Sequence, residues 1–245
     1  MSKEIRTAIV TGASKGIGAA IAQRLAADGF GVAINYSASA AEAAAIVAAI
    51  EKAGGRAKAI RADVADPSAV RALFDQTEAA FGPVDVLVNN AGTLKASLLA
   101  EVSDEDYQRQ IAVNLTGTFN GLREGARRLR DGGRIINLST SIVGAYFPTY
   151  GVYAATKAAV EAMTHVLAKE LGARKITVNA VAPGPVATEL FLTSRSEELI
   201  QRQTKEIPLG RLGQPDDIAR VVSFLAGPDG GWVSGQVIRA NGGRN

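Results

Sequence analysis

Short apolar, β-branched runs alternate along most of the chain with longer alanine-rich stretches whose apolar positions recur every three to four residues. The short runs are Thr7–Thr11, Gly31–Asn35, Lys58–Ala62, Val84–Asn89, Gly133–Ser139 and Thr177–Ala182. Most lack the polar alternation of a half-exposed strand, so they read as parallel strands covered on both faces. A seventh run, Gln236–Arg239, fits less strongly. Helical spacing and length mark Gly18–Asp28, Ala40–Ala53, Pro67–Ala80, Glu105–Leu129, Tyr153–Leu171 and Asp217–Leu225. Strands and helices alternating through right-handed crossovers predict an α/β fold of the Rossmann type, a doubly wound parallel sheet with helices on both faces. No break in composition marks a linker, so residues 1–245 are expected to form one domain. The stretch 183–215 fits the alternation least, and 185–213 is expected to cover a ligand.

Composition removes several classes of chemistry. There is no cysteine, which excludes disulfides, zinc–thiolate sites and thiol nucleophiles, and the single His165 cannot build a histidine metal cluster. No metal site is expected. Lys and Arg total 27 against 24 Asp and Glu, an excess too small and scattered to point to nucleic acid or a membrane. The opening residues lack a signal-peptide pattern and no segment has the length of a membrane span, so a cytoplasmic location is expected.

The first strand runs into Thr11-Gly12-Ala13-Ser14-Lys15-Gly16-Ile17-Gly18, followed by a helix. Gly12 permits a tight turn, Gly16 lets backbone approach a pyrophosphate, and Gly18 lets the helix pack close to the sheet. The helix N-terminus offers free N–H groups and partial positive charge to the phosphates. A turn of this kind after the first strand of a βαβ unit points to a dinucleotide. At the end of the second strand an acidic residue would bind both ribose hydroxyls and repel a 2′-phosphate. The chain reads Asn35-Tyr36-Ser37 there, with Lys15 in the glycine turn, which favours NADP while leaving NAD open.

Tyr153 and Lys157 stand four residues apart at the start of a predicted helix and share one face. A neighbouring ammonium favours the phenolate, so Lys157 is expected to lower the tyrosine pKa toward the working range. Asp63-Val64, Asn89-Asn90-Ala91-Gly92, Asn114, Ser141-Ile142-Val143-Gly144, and Pro183-Gly184 with Val186 and Thr188 complete a series of motifs. In this order, and across essentially the whole chain, the series resembles the short-chain dehydrogenase/reductase family. The likeness is to its single-domain members, such as 3-oxoacyl-carrier-protein reductases and carbonyl reductases.

The resemblance implies a role for each matched residue. Tyr153 exchanges a proton with the substrate oxygen, Lys157 tunes Tyr153 and holds the cofactor ribose, and Ser141 hydrogen-bonds the substrate oxygen. Asn114 holds a water that links Lys157 to solvent. Gly12, Ser14, Lys15, Gly16, Ile17, Gly18, Asn35, Tyr36 and Ser37 surround the phosphate and ribose end. Asp63 and Val64 meet the adenine, while Asn90, Ala91 and Gly92, with Pro183, Gly184, Val186 and Thr188, line the remaining cofactor path. The interval from Ser141 to Tyr153 is one residue shorter than in many relatives, so Ser139-Thr140-Ser141 offers more than one hydroxyl; Ser141 is preferred and Ser139 is the fallback.

Reduction of a ketone or aldehyde by NADPH, with a 3-oxoacyl thioester as one substrate, is the leading expectation. Oxidation of a secondary alcohol, sugar or steroid by NAD is the rival, and a non-catalytic dinucleotide sensor is a third reading. Specificity is expected in 185–213, 145–151 and 93–98. Leu190-Phe191-Leu192 favours an apolar substrate, and Arg195 and Lys205 allow an anionic one. Arg123, Arg127, Arg128, Arg130 and Arg174 suit either a solvated face or an acidic acyl carrier protein. The resemblance also implies a homotetramer built partly through Glu105–Leu129 and Tyr153–Leu171. His165 and Trp232 are read as packing or surface residues, Trp232 in the core or at a subunit contact.

Overall fold

A computed structural model of the chain describes residues 6–193 and 196–244. Seven strands form one parallel sheet in the order β3-β2-β1-β4-β5-β6-β7. They are β1 (Thr7–Val10), β2 (Gly31–Tyr36), β3 (Arg56–Arg61), β4 (Val84–Asn89), β5 (Arg134–Leu138), β6 (Thr177–Pro183) and β7 (Val237–Ala240). The order reverses between β1 and β4, and a crevice opens at such a switch point beyond the carboxyl ends of the strands.

Five of the six runs have the two-sided burial expected of them; Lys58–Ala62 does not, because β3 is an edge strand whose Arg56, Lys58 and Arg61 are exposed. Successive side chains on a strand face opposite ways, so Ala8 and Val10 enter one core while Ile9 enters the other. On the first face Val32, Ile34, Val86 and Val88 pack against α1 (Gly16–Ala27), α2 (Ala40–Lys52) and α10 (Pro215–Ala226). On the second, Leu87, Ile135 and Val178 meet Leu73 and Phe74 of α3 (Pro67–Phe81) and Leu122 of α5 (Gly117–Arg128). α7 (Gly151–Glu170) covers the same face beside β6. α3 starts sharply because Pro67 occupies its first position and Asp66 accepts from Ser68 N at 2.7 Å.

The helix expected over Glu105–Leu129 is interrupted. α4 (Asp104–Gln110) and α5 are joined by a wide turn, Ile111–Thr116, with the i→i+5 pattern of a π-helix, and Asn114 lies inside it with no exposed surface. Periodicity alone does not detect one extra residue per turn. The irregular stretch after β6 carries α8 (Glu189–Thr193) and α9 (Glu197–Lys205), and a short helix α6 (Ile142–Ala145) follows β5. Among the described residues no helix is long and apolar enough to cross a membrane. Trp232, read from the sequence as a core or contact residue, is fully exposed between α10 and β7, so the core reading is wrong. His165 is exposed on α7.

Candidate active site

The glycine turn is shaped by close approach. Gly12 adopts φ +61°, and a Cβ there would lie 2.9 Å from Ala91 Cα. A Cβ on Gly18 would lie 2.4 Å from Asn90 Nδ2 and 2.5 Å from the Gly12 carbonyl oxygen. The loop after β4 is thus pressed onto the turn, and Asn90 Nδ2 ties the two by donating to the carbonyls of Thr11 (2.8 Å) and Gly12 (3.0 Å). Thr11 Oγ1 accepts from Asn90 N and Ala91 N at 2.9 and 3.0 Å. No side chain caps α1, which leaves its first-turn N–H groups for another acceptor.

A groove of about 990 Å³ runs over this turn, lined by Gly12, Ser14, Lys15, Gly16, Ile17, Gly18, Tyr36, Ser37, Asp63, Val64, Asn90, Ala91, Gly92, Pro183, Gly184, Val186 and Thr188. Thr188 reaches across from the loop after β6, and a Cβ on Gly16 would lie 3.5 Å from its methyl group. The length of the groove, the absence of side chains at its turn and the uncapped helix fit a dinucleotide.

Asn35 also borders the groove, but its amide serves the scaffold. Oδ1 accepts from Gly12 N at 3.2 Å, and Nδ2 donates to the Ala62 carbonyl at 2.9 Å. It buttresses the turn from beneath, while Tyr36 and Ser37 form the outer end. Arg61, opposite Tyr36 in the parallel register, donates from Nε to the Ser37 carbonyl at 3.1 Å and adds a cation there. Pairing the ends of β2 and β3 would have exposed this residue in the sequence.

Tyr153 and Lys157 sit on α7 facing the end of β5. Lys157 is 3% exposed; its Nζ donates to the Leu138 carbonyl at 2.7 Å and lies 5.9 Å from the centre of the Tyr153 ring. Burial of a charge lowers the Lys157 pKa to about 8. The expected lowering of the Tyr153 pKa does not occur. Burial pushes the phenol up to about 12, a hydrogen bond with Thr140 pulls it down by less, and Tyr150 adds to the rise. Loss of hydration outweighs an ammonium that points at a carbonyl, so at neutral pH Tyr153 is a phenol able to donate a proton.

The three neighbouring hydroxyls occupy different places. Ser139 Oγ donates to Glu161 Oε1 of α7 at 2.5 Å. Ser141 lines a second cavity and donates its N–H to the Pro183 carbonyl at 2.9 Å. Thr140, between the two serines, borders both groove and cavity, as Tyr153 does. Asn114 clamps the loop after β4: Oδ1 accepts from Thr93 N at 2.8 Å and Nδ2 donates to the Thr93 carbonyl at 2.9 Å. A Cβ on Gly92 would lie 3.4 Å from Asn114 Oδ1 and 3.6 Å from Lys157 Nζ, so these groups converge on one point.

The second cavity, about 520 Å³, joins the groove at Tyr153 and Thr140. Its walls include Leu94, Phe147, Tyr150, Phe191 and Leu199, with Arg202, Glu206 and Arg244. Arg195 and the Leu190 side chain lie outside the described residues, and Lys205 is not part of the lining. Arg244 carried no signal in the sequence, being a lone arginine beyond the last strand. The arginines of α5 and its neighbours are engaged internally. Arg128 pairs with Asp75 and Glu78 at 2.7 and 2.6 Å, Arg174 with Asp131 at 2.8 Å, and Arg130 lies 3.9 Å from Asp85. Arg127 lies 3.5 Å from Glu124, and Arg123 donates to Asn120 Oδ1 at 3.1 Å.

A glycine-cradled groove at the switch point of a parallel sheet, meeting a cavity at a tyrosine–lysine pair, defines a nicotinamide-dependent oxidoreductase. The chain belongs to the short-chain dehydrogenase/reductase family. Residues 12–245 match the family described as enoyl-(acyl carrier protein) reductase. A short-chain type dehydrogenase/reductase of Picea abies is 48% identical, covering 98% of this chain and 92% of that protein. The chloroplastic NADPH-dependent aldehyde reductase 2 of Arabidopsis thaliana is also 48% identical, over 97% and 93% of the two chains. A solved short-chain dehydrogenase of Burkholderia cenocepacia in complex with NADP superposes with a TM-score of 0.93 at 41% identity, over 98% of each chain.

Proposed function

We propose that this protein is an NADP-dependent reductase that converts an aldehyde or ketone to the alcohol. The observation that carries the reading is the Tyr153–Lys157 pair held where groove and cavity meet. The NADPH-dependent aldehyde reductase and the NADP-bound relative agree with it. The first turn of α1 and the glycine turn would hold the pyrophosphate, and Asp63 and Val64 the adenine. Lys15, Tyr36, Ser37 and Arg61, with no carboxylate at the end of β2, would receive a 2′-phosphate.

A nicotinamide bound in the groove would supply hydride to the carbonyl carbon. Tyr153 would give its proton to the carbonyl oxygen, and the hydroxyl of Ser141, or of Thr140 beside it where cavity and groove meet, would hydrogen-bond the same oxygen as charge develops on it. Lys157 holds the ribose and restores the Tyr153 proton. The Asn114 side chain is committed to Thr93, so the water link expected of this residue falls to its main-chain carbonyl. That carbonyl accepts from Thr118 Oγ1 at 2.8 Å.

NADPH and NADH oxidation across aldehydes, aryl ketones, acetoacetyl and enoyl thioesters and sugars tests this reading. Turnover of carbonyls with NADPH is expected, falling roughly 10²–10⁴-fold in Tyr153→Phe. Ser139→Ala is expected to lose less kcat than Ser141→Ala or Thr140→Val, since Ser139 bonds to Glu161 while the other two hydroxyls line the cavity. Turnover confined to NADH, to alcohol oxidation or to the enoyl thioester would overturn the reading. We further infer a homotetramer through α4–α5 and α7, whose exposed Tyr107, Phe119 and Val166 are apolar surface on those helices. Light scattering would read its mass.

A further inference from the structure

Arg244 brings a nearly buried guanidinium to the wall of the substrate cavity. Its side chain is only 10% exposed, its guanidinium carbon lies 5.1 Å above the Phe147 ring, and Nη2 donates to Glu206 Oε2 at 2.5 Å. The other oxygen of Glu206 faces Arg202 Nε at 3.6 Å. That carboxylate pairs closely with Arg244 and only loosely with Arg202, whose side chain is 80% exposed. Among the described residues lining the cavity there is no other acid, and the surrounding wall is Phe147, Pro148, Phe191, Leu199 and Leu94. Arg244, Glu206, Arg202 and Phe147 line the cavity but not the groove, whereas Tyr153 and Thr140 line both. The charged cluster thus lies on the side of the cavity turned away from the cofactor groove.

We propose that Arg244 forms an anion subsite, and that the preferred substrate is an oxo-acid: a carbonyl at Tyr153, an apolar body, and a carboxylate at the far wall. The proposal rests on the carbonyl-reductase reading above. A carboxylate there would meet the nearly buried guanidinium of Arg244 beside its pair with Glu206. Stacking on Phe147 and the bond to Glu206 hold the planar guanidinium in place beforehand, so little freedom is lost when the anion arrives. Charge-assisted bonds to arginine are the stronger kind, and a partly desolvated one is expected to give a roughly tenfold to hundredfold preference. The cavity volume suits a substrate of one aromatic ring with short substituents.

The test compares 4-carboxybenzaldehyde with 4-methylbenzaldehyde, which has similar length and no charge, in the full-length enzyme with NADPH. The readout is the ratio of their kcat/KM values. The wild-type ratio is expected to favour the carboxylate at least tenfold, to fall to about one in Arg244→Leu, and to be partly kept in Arg244→Lys. Glu206→Gln supplies the second arm. Removing the competing acid should raise the ratio, chiefly through a lower KM for the carboxylate, whereas a pair that only braces the C-terminal segment would leave the ratio unmoved. Equal wild-type turnover of the two aldehydes, or a ratio unchanged in Arg244→Leu, overturns the subsite and leaves the reductase standing. Failure to turn over either aldehyde, or any other carbonyl, overturns the reductase reading itself.

Discussion

The dinucleotide groove and the substrate cavity meet at Tyr153 yet are built by opposite means. The groove is made by leaving side chains out: Gly12 and Gly18 bring backbone within a carbon's width of neighbouring loops. The cavity is made by putting side chains in, from the ends of β5 and β6, the loop before α7, α8, α9 and the residues after β7. Backbone is common to all sequences that fold this way, and side chains are not. The groove should therefore resist change at single positions, while the cavity should accept it with altered selectivity.

The sharpest way to break this contrast is Gly18→Ala. Its methyl would stand 2.5 Å from a main-chain oxygen that cannot swing aside. Calorimetric titration is expected to show NADPH affinity reduced at least roughly a hundredfold. The matching Leu94→Ala in the cavity should shift substrate KM and leave NADPH affinity as it was. Equal effects of the two changes on NADPH would erase the distinction.

Lys157 belongs to the seam between the regions, and its variant should gain stability as it loses function. Its folded pKa of about 8 lies below the unfolded value of 10.5, so below pH 8 the fold bears the cost of a buried charge. That cost is about 3 kcal/mol, upheld at neutral pH and relieved as pH rises from 8 to 10.5, where only the unfolded chain stays protonated. Denaturant unfolding of Lys157→Met at pH 7 should show a gain of that order, shrinking at higher pH, with turnover lost. A variant less stable than wild type at pH 7 would contradict the burial argument.

Smaller effects sharpen the picture. Tyr36→Asp places a carboxylate where a 2′-phosphate would lie, and the kcat/KM ratio of NADPH to NADH should fall about tenfold or more. Substrate KM should hold, since Tyr36 lies away from the cavity; undiminished NADPH preference would refute the assignment of this end. Thr149, a β-branched residue at φ +71° in the loop before α7, is held by its carbonyl accepting from Ser97 N at 2.9 Å. Thr149→Gly should remove about 1 kcal/mol of strain. A melting temperature that fails to rise would mean that the strain is offset by lost packing.

The same contrast decides what could be read from the sequence. Strand and helix order followed from apolar periodicity, and the glycine turn from residues whose lack of a side chain is itself the signal. Tyr153 and Lys157 were visible because one helix presents both. The wide turn around Asn114 was hidden, since an added residue leaves the apolar pattern on either side intact. The structural duty of Asn35 was hidden too: an amide at a strand end looks the same whether it meets a ligand or Gly12 N. Thr140 and Arg244 needed coordinates, because their meaning depends on residues that come together only in the folded chain.

Trp232 gives the protein a built-in optical reporter. It is the only tryptophan in the chain, and its side chain stands wholly in water. Its emission in the isolated chain should therefore resemble that of the free indole, long in wavelength and open to collisional quenching by iodide. If a second copy covers the turn between α10 and β7, the emission moves to the blue and the quencher is shut out. Diluting the protein while watching this one signal follows the covering of that surface without a label.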